Sequence, residues 1–274
     1  MSVPDTDAAE ISLLTETLRK TMTTTSGVEL DAALTELGWP EMLAMMPDIA
    51  VPLVFRLLGE TGAHAPVLND VVLHALDRRI GDTVPIPYAD RWLIWGRDGD
   101  GGETADPELP LRPAVPGSGE SVASHSTEPG PAAAARRALA WWLVGSGHAM
   151  LSLARQHALD RTQFGRPVAS FQAIRHKLAE TLVALEGAEA TLTFADDDLG
   201  ALLAKAAAGR AALLAAKHCQ QTLGGIGFTA EHDLQGHIRR VLVLDGLFGS
   251  TRELTREAGR RIRDLGSAPR LAQL

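Results

Sequence analysis

Cysteine is almost missing from this chain. Cys219 is the only one in 274 residues, so no disulfide can close within the chain, and a reducing compartment fits. Tyrosine also occurs once and aromatics reach only 4%, so the core must come mostly from Ala, Leu and Val. Positive charge is in deficit. Lys and Arg number 26 against 34 Asp and Glu, a net charge of −8. That argues against a nucleic-acid partner, because a phosphate-binding surface needs clustered cations. No uninterrupted apolar run approaches the ~20 residues that span a bilayer. The opening MSVPDTDAAE has no basic stretch leading into an apolar one, so no secretion signal is expected. His148, His157, His176, His218, His232 and His237 show no metal-ligand spacing. His218 and Cys219 are adjacent, point to different helix faces, and read as structural. The expectation is a cytoplasmic protein without membrane, metal or nucleic acid.

What is present is helical periodicity. Hydrophobic residues make up 45% of the chain. Ile11, Leu14, Leu18 and Met22, then Leu30, Leu34 and Leu37, predict two helices broken at Thr23–Gly27. Gly38-Trp39-Pro40 is a stop signal. Apolar helical pieces continue over 41–80, punctuated by Pro47, Pro52, Gly62 and Pro66. The composition then changes. From Pro85 to Pro131 the chain is rich in Gly, Pro, Asp and Ser, with strand-like pieces at Arg91–Gly96 and Leu109–Val115. Gly99–Asp106 and Pro116–Gly130 read as loop. Trp92 and Trp95 either pack a small sheet or line a widened pocket.

From Ala132 the pattern is helical to the end. Leu139, Trp142, Leu143, Ser146, Ala149, Met150, Leu153 and His157 line one stripe of a long helix ending near Asp160. Trp141 is expected in the core and Trp142 at an interface. Ile174, Leu178, Leu182, Leu185 and Leu192 mark a second helix. Leu202, Leu203, Ala206, Leu213, Leu214 and Lys217 mark a third. Leu242–Leu247 is a short apolar segment and Thr251–Leu265 a charged last helix. Arg252, Arg256, Arg260 and Arg263 make a basic stripe beside Glu253 and Glu257, read as a solvated face or a contact to an acidic partner. Long antiparallel helices with short connections make a four-helix bundle. The fold class is mainly α, divided as 1–84, a helical domain; 85–131, a much reduced β segment; and 132–274, the bundle.

Two stretches carry chemistry. The first holds Arg161, Phe164, Gly165, Pro167, Phe171 and Gln172, in the pattern R-x-x-F-G-x-P-(x)3-F-Q. The second holds Gln221, Gly224, Gly225, Gly227, Phe228 and Thr229, in the pattern Q-x-x-G-G-x-G-(F/Y)-T. A guanidinium fork suits a pyrophosphate. A phenylalanine beside it offers a face to an adenine or ribose. Two glycines let backbone amides approach a phosphate, since no Cβ intervenes. Alternatively Arg161 caps the preceding helix and the glycines only turn the chain.

The pair of motifs, in this register, resembles the C-terminal half of acyl-CoA dehydrogenases. Arg239 and Gly249 match two further family positions, and Glu36–Trp39 and Leu57–Val67 are similar to phrases of its N-terminal domain. The resemblance implies that Arg161, Gln163, Phe164, Phe171, Gln172, Gln221, Gly224 and Gly225 contact the ADP half of an FAD held mainly by a neighbouring subunit. It implies an acyl-CoA substrate and loss of its α-proton to a glutamate base.

The chain departs from the family at that base. One family position for the glutamate falls on Phe248 and the other on Ala135. Asp245 and Glu253 are the nearby carboxylates, and Asp245 is the weak substitute candidate. The family's β-domain is also more than twice as long as 85–131. Both losses resemble the shorter, degenerate subunit of heteromeric actinobacterial dehydrogenases of steroid catabolism. There a larger paralogue keeps the glutamate, and FAD sits at the interface of a heterotetramer. The resemblance therefore implies an oxidoreductase subunit, inactive alone and without a catalytic residue of its own. The alternative is a flavin-free scaffold of the same fold.

Overall fold

The computed structural model describes residues 8–97, 109–114 and 126–267. The expected loop Gly99–Asp106 and the first ten residues of Pro116–Gly130 lie outside them, as does the start of the N-terminal stretch.

Five helices come first: α1 (Ala8–Thr24), α2 (Val28–Glu36), α3 (Trp39–Met45), α4 (Pro47–Thr61) and α5 (Val67–Ala75). The threonine run does not itself end α1. Thr23, Thr24 and Thr25 turn their hydroxyls back onto carbonyls one turn earlier. The break falls at Gly27, whose φ of 65° is left-handed and whose N–H donates to the His64 carbonyl at 2.7 Å. Gly38-Trp39-Pro40 both ends one helix and starts the next, with Gly38 left-handed at φ 85° and Pro40 in the first turn of α3. Pro52, expected as a breaker, sits inside α4.

A three-stranded antiparallel sheet follows, β1 (Pro85–Tyr88), β2 (Arg91–Trp95) and β3 (Leu111–Pro113), in the order β1-β2-β3. Pro85 and Pro87 disguise β1, but it is an edge strand, where the missing N–H groups are tolerated. The sheet is fastened to α5 by two buried polar residues. Asn69 Nδ2 donates to the Trp95 carbonyl at 3.0 Å and its Oδ1 accepts from the Val84 N–H. Asp70 accepts from Trp39 Nε1, the Gly81 N–H and Arg97. Trp95 is fully buried and stacks on Trp142 at 5.5 Å. Trp92 is only half-buried.

The bundle comprises α6 (Pro129–Asp160), α7 (Gln172–Leu192), α8 (Asp198–Leu223), α9 (Leu234–Gly246) and α10 (Thr251–Leu265). Between α6 and α7 lies a short hairpin, β4 (Thr162–Gln163) and β5 (Arg166–Pro167), then a 3-10 turn. Another 3-10 turn, Gly224–Phe228, follows α8. The expected leucine stripe of α8 needs correction. Leu202 and Ala206 are buried as expected, but Leu203, Leu213 and Leu214 are half-buried and Lys217 is exposed, whereas Ala204, Ala208, Ala211, Ala212 and Ala215 are buried. Small residues let α8 lie close against α6, and the leucines flank the contact. In α7, Leu182 is likewise exposed. Trp142 is fully buried and Trp141 only partly, the reverse of the expectation.

Helix α4 crosses α6 with backbones in contact. A Cβ on Gly145 would stand 2.2 Å from the Arg56 carbonyl oxygen, and one on Gly59 2.4 Å from that of Trp142. Most buried residues from Leu18 to Phe248 form one cluster across helices, sheet and bundle, and Leu202, Ala206, Leu254 and Ala258 form a second, smaller one between α8 and α10. By length and composition, 198–228 could cross a membrane, but 67% of its most apolar window is inside the protein, as a central helix requires.

Candidate functional site

Helix α6 ends at Asp160, and its far end is a concentration of the predicted residues. Arg161 is extended and exposed. Its N–H donates to the His157 carbonyl at 2.9 Å and its carbonyl accepts from Val168 at 2.8 Å, so the backbone is fixed while the guanidinium stands in water. Phe164 and Gly165 form the hairpin tip with φ of 53° and 77°. Two successive left-handed residues match the twist of a tight hairpin, but phenylalanine is strained there. Its ring is 91% exposed and meets only Phe171, edge to face, at 6.1 Å. The Arg166 guanidinium lies 4.3 Å from the centre of the Phe171 ring. Gln163 and Gln172 are exposed, and Gln172 reaches His176.

The second motif arrives at the same end. Helices α7 and α8 run antiparallel, tied by Thr181 to His218 Nδ1 at 3.1 Å and by Lys177 Nζ to Gln221 Oε1. Residues before 177 therefore meet residues after 221. Gly224 has φ 65°, and an added Cβ at Gly224 or Gly225 would have nothing within 4 Å. Gly227 instead is packed, and an added Cβ there would stand 2.7 Å from the Gln220 carbonyl oxygen. Phe228 and Ile226 are exposed beside the two open glycines. The sequence motifs thus converge on one surface with open backbone, aromatic faces and a free-standing guanidinium.

The base positions lie elsewhere. Ala135 is fully buried and Phe248 is 3% exposed. Phe248 has φ 54°, its N–H donates to the Pro87 carbonyl at 2.9 Å, and its carbonyl accepts from Arg136 Nε at 3.2 Å. Neither side chain can take a proton. Asp245 Oδ1 accepts from the Thr251 N–H at 3.1 Å and hydroxyl at 2.5 Å, fixing the start of α10. It does not line the ≈ 350 Å³ cavity that Phe248 shares with Arg136. Glu253 closes a capping box with Ser250, and the hydrogen bond from the Ser250 backbone holds its carboxyl low. Among the described residues no group of three His, Cys, Asp or Glu could hold a metal.

Two positions escaped sequence reading because single residues form no pattern. Lys205 is fully buried, and Nζ donates to the carbonyls of Asp245 at 2.9 Å and Gly249 at 2.7 Å. Burial pushes its ammonium down to about 7; the Asp245 charge opposes that and the Arg136 charge adds to it. Arg136 also reaches Asp198 at 3.3 Å, and Arg261 bonds the other oxygen of the same carboxylate. Elsewhere, burial raises Cys219 to about 12, so its thiol is inert. Burial likewise lowers His157, beside His232 and Arg161. In the basic stripe, Arg260 pairs with Glu257 at 2.5 Å, while Arg252, Arg256 and Arg263 are exposed.

Residues 131–262 match the family of the acyl-CoA dehydrogenase C-terminal domain. Acyl-CoA dehydrogenase IpdE2 of Mycobacterium tuberculosis is 36% identical over 132 residues, which cover 47% of this chain and 42% of that protein. The chain thus spans less than half the length of the curated relatives it matches first. A variant of the Tcur3481-Tcur3483 steroid ACAD superposes with a TM-score of 0.66 at 19% identity, covering 95% of this chain and 99% of that one. The ChsE4-ChsE5 complex from Mycobacterium tuberculosis gives 0.63 at 18%, covering 98% and 100%. These structural likenesses establish the fold. Over residues 131–262, just under half of its length, the chain is similar in sequence to the acyl-CoA dehydrogenase C-terminal domain.

Proposed function

We propose that this chain is the non-catalytic subunit of a heteromeric, FAD-dependent acyl-CoA dehydrogenase. Arg161, Gln163, Phe164, Phe171, Gln172, Gln221, Gly224 and Gly225 clamp the ADP half of an FAD whose flavin ring is held by a larger paralogue. That paralogue supplies the glutamate, and the flavin supplies the hydride acceptor for the substrate's β-carbon.

The observation that carries this reading is the separation of the two ends of α6. Ala135 and Arg161 are 26 residues apart on one helix, roughly 39 Å at 1.5 Å per residue. That is longer than one FAD, so the hairpin cannot serve a flavin lying against this chain's own Phe248. The hairpin surface fits the ADP half, because Gly224 and Gly225 leave room that a Cβ would fill and Phe164 offers a bare ring. The three described strands, Pro85–Tyr88, Arg91–Trp95 and Leu111–Pro113, are turned to the internal core through Trp95 and are a poor platform for a flavin ring. A bulky steroid-derived CoA thioester is the substrate class suggested by the likeness to the steroid ACAD. The likeness to the ChsE4-ChsE5 complex supports a paralogous partner.

The test is co-expression with a larger acyl-CoA dehydrogenase paralogue, followed by flavin absorbance and native mass. Yellow colour and a heteromeric mass are expected only together, and Arg161→Ala should strip the flavin while leaving the complex assembled. A colourless homo-oligomer that ignores every paralogue would replace this reading with that of a scaffold.

A further inference from the structure

The first turns of α6 separate two cavities. Arg136 faces the Phe248 loop. Arg137, about 100° further around the helix, lines a second cavity of ≈ 650 Å³ between the α3–α5 helices and the α7–α8 connection. Its walls are apolar on one side, with Leu43, Val51, Val71 and Trp141, and carry polar groups elsewhere. That volume falls in the range of small-molecule sites, roughly 300–1,000 Å³.

Arg137 is half-buried there, and NH1 donates to the Ala195 carbonyl at 3.3 Å. Among the described residues it has no carboxylate partner. Three other half-buried arginines do: Arg56 meets Glu189 at 3.0 Å, Arg97 meets Asp31 at 2.6 Å and Arg136 meets Asp198 at 3.3 Å. The N-terminal turn of α4, Pro47 and Asp48, opens on the same cavity and adds the positive end of a 15-residue helix. A guanidinium against an apolar wall, short of an anion, is an anchor without its ligand.

We propose that this cavity binds a small apolar monocarboxylic acid, with its carboxylate on Arg137 and its body against Trp141. Two acids on the lining, Asp48 and Asp196, limit the charge it accepts. Both are exposed, so water screens them from a single carboxylate held at Arg137. A CoA thioester, with several phosphate charges to pass them, is disfavoured. His74 also lines the cavity, on its α5 wall. The site is separate from the Phe248 cavity and does not depend on the flavin.

The experiment titrates the full chain with decanoate and follows tryptophan fluorescence. Decanol and decanoyl-CoA are the comparators, and Trp141→Phe assigns the signal. A saturable change with decanoate is expected, about tenfold weaker or more with decanol and with decanoyl-CoA. Arg137→Gln should weaken decanoate to a similar degree, and Arg137→Lys should restore part of the affinity. No saturable change with decanoate, or equal affinity in Arg137→Gln, overturns the proposal. So does a signal that survives intact in Trp141→Phe.

Discussion

At the C-terminal end of α6, a left-handed phenylalanine stands 91% exposed, two glycines face open space, and polar side chains reach mostly into solvent. At its N-terminal end, Leu247 and Phe248 are buried and the polar groups beside them are engaged. Arg136 holds the Phe248 carbonyl, Lys205 holds those of Asp245 and Gly249, and Asp245 caps α10. Both ends contain a phenylalanine at φ near +54°. At one end packing compensates the strain; at the other nothing in this chain does. Unrelieved strain and exposed rings point to a surface completed by another molecule. A buried phenylalanine on a hydrogen-bonded loop is the pattern of a residue kept for packing.

The largest expected effect is at the buried end. Phe248→Ala removes a ring that is 3% exposed, and large-to-small changes of this kind cost about 3–5 kcal/mol. Chemical denaturation should show that loss, with the flavin content of the co-expressed complex unchanged per folded subunit. A loss under ~1 kcal/mol would mean that the loop is not the packed element described. Arg136→Ala comes next. It leaves Asp198 with Arg261 alone and removes the donor to Phe248, at a cost of about 3 kcal/mol. The same substitution at the exposed Arg161 should leave stability almost untouched.

These contrasts were only partly legible from sequence. The helix breaks at Gly27, Gly38 and Gly62 were readable because glycine there is left-handed. The motif residues were readable because their spacing is fixed by the hairpin and the α8 terminus. Leu203, Leu213 and Leu214 of α8 misled because close contact with α6 selects alanine for most of the buried face, although Leu202 is buried. The β1 strand was hidden by prolines that only an edge position permits. Asn69, Asp70 and Lys205 gave no signal, since a buried polar group is recognised by its partners, and those lie 11 to 44 residues away. The exposure of Phe164 was likewise invisible. An R-x-x-F-G pattern does not say that the ring is in water.

Lys205 gives a pH-dependent test. Its folded value, about 7, lies below the ordinary 10.5, chiefly through burial. Between those values the unfolded chain binds the proton more than the folded one does. Stability contributed through this group therefore rises with pH from about 7 to about 10.5 and is flat below 7. Wild type should gain on Lys205→Met over that window by at most ~1.4 kcal/mol per pH unit. Urea denaturation at several pH values would measure it. A stability difference independent of pH would show that the amine stays charged throughout, held by Asp245.

The smallest effect separates the two ends most cleanly, because its sign is opposite. Phe164→Gly removes a side chain from a left-handed position, where an L-residue is strained by about 1–2 kcal/mol. It takes no buried area away, since the ring is almost wholly exposed. The greater freedom of glycine in the unfolded chain returns about 0.5–1 kcal/mol of that gain. The net expectation is a subunit as stable as wild type or slightly more so, by up to ~1 kcal/mol. The same variant should hold less FAD in the co-expressed complex, because it lacks the face proposed to meet the adenine or ribose. A residue kept for folding would lose stability when removed, and one kept for a ligand would lose only the ligand. Unchanged flavin content together with lost stability would return Phe164 to the first class.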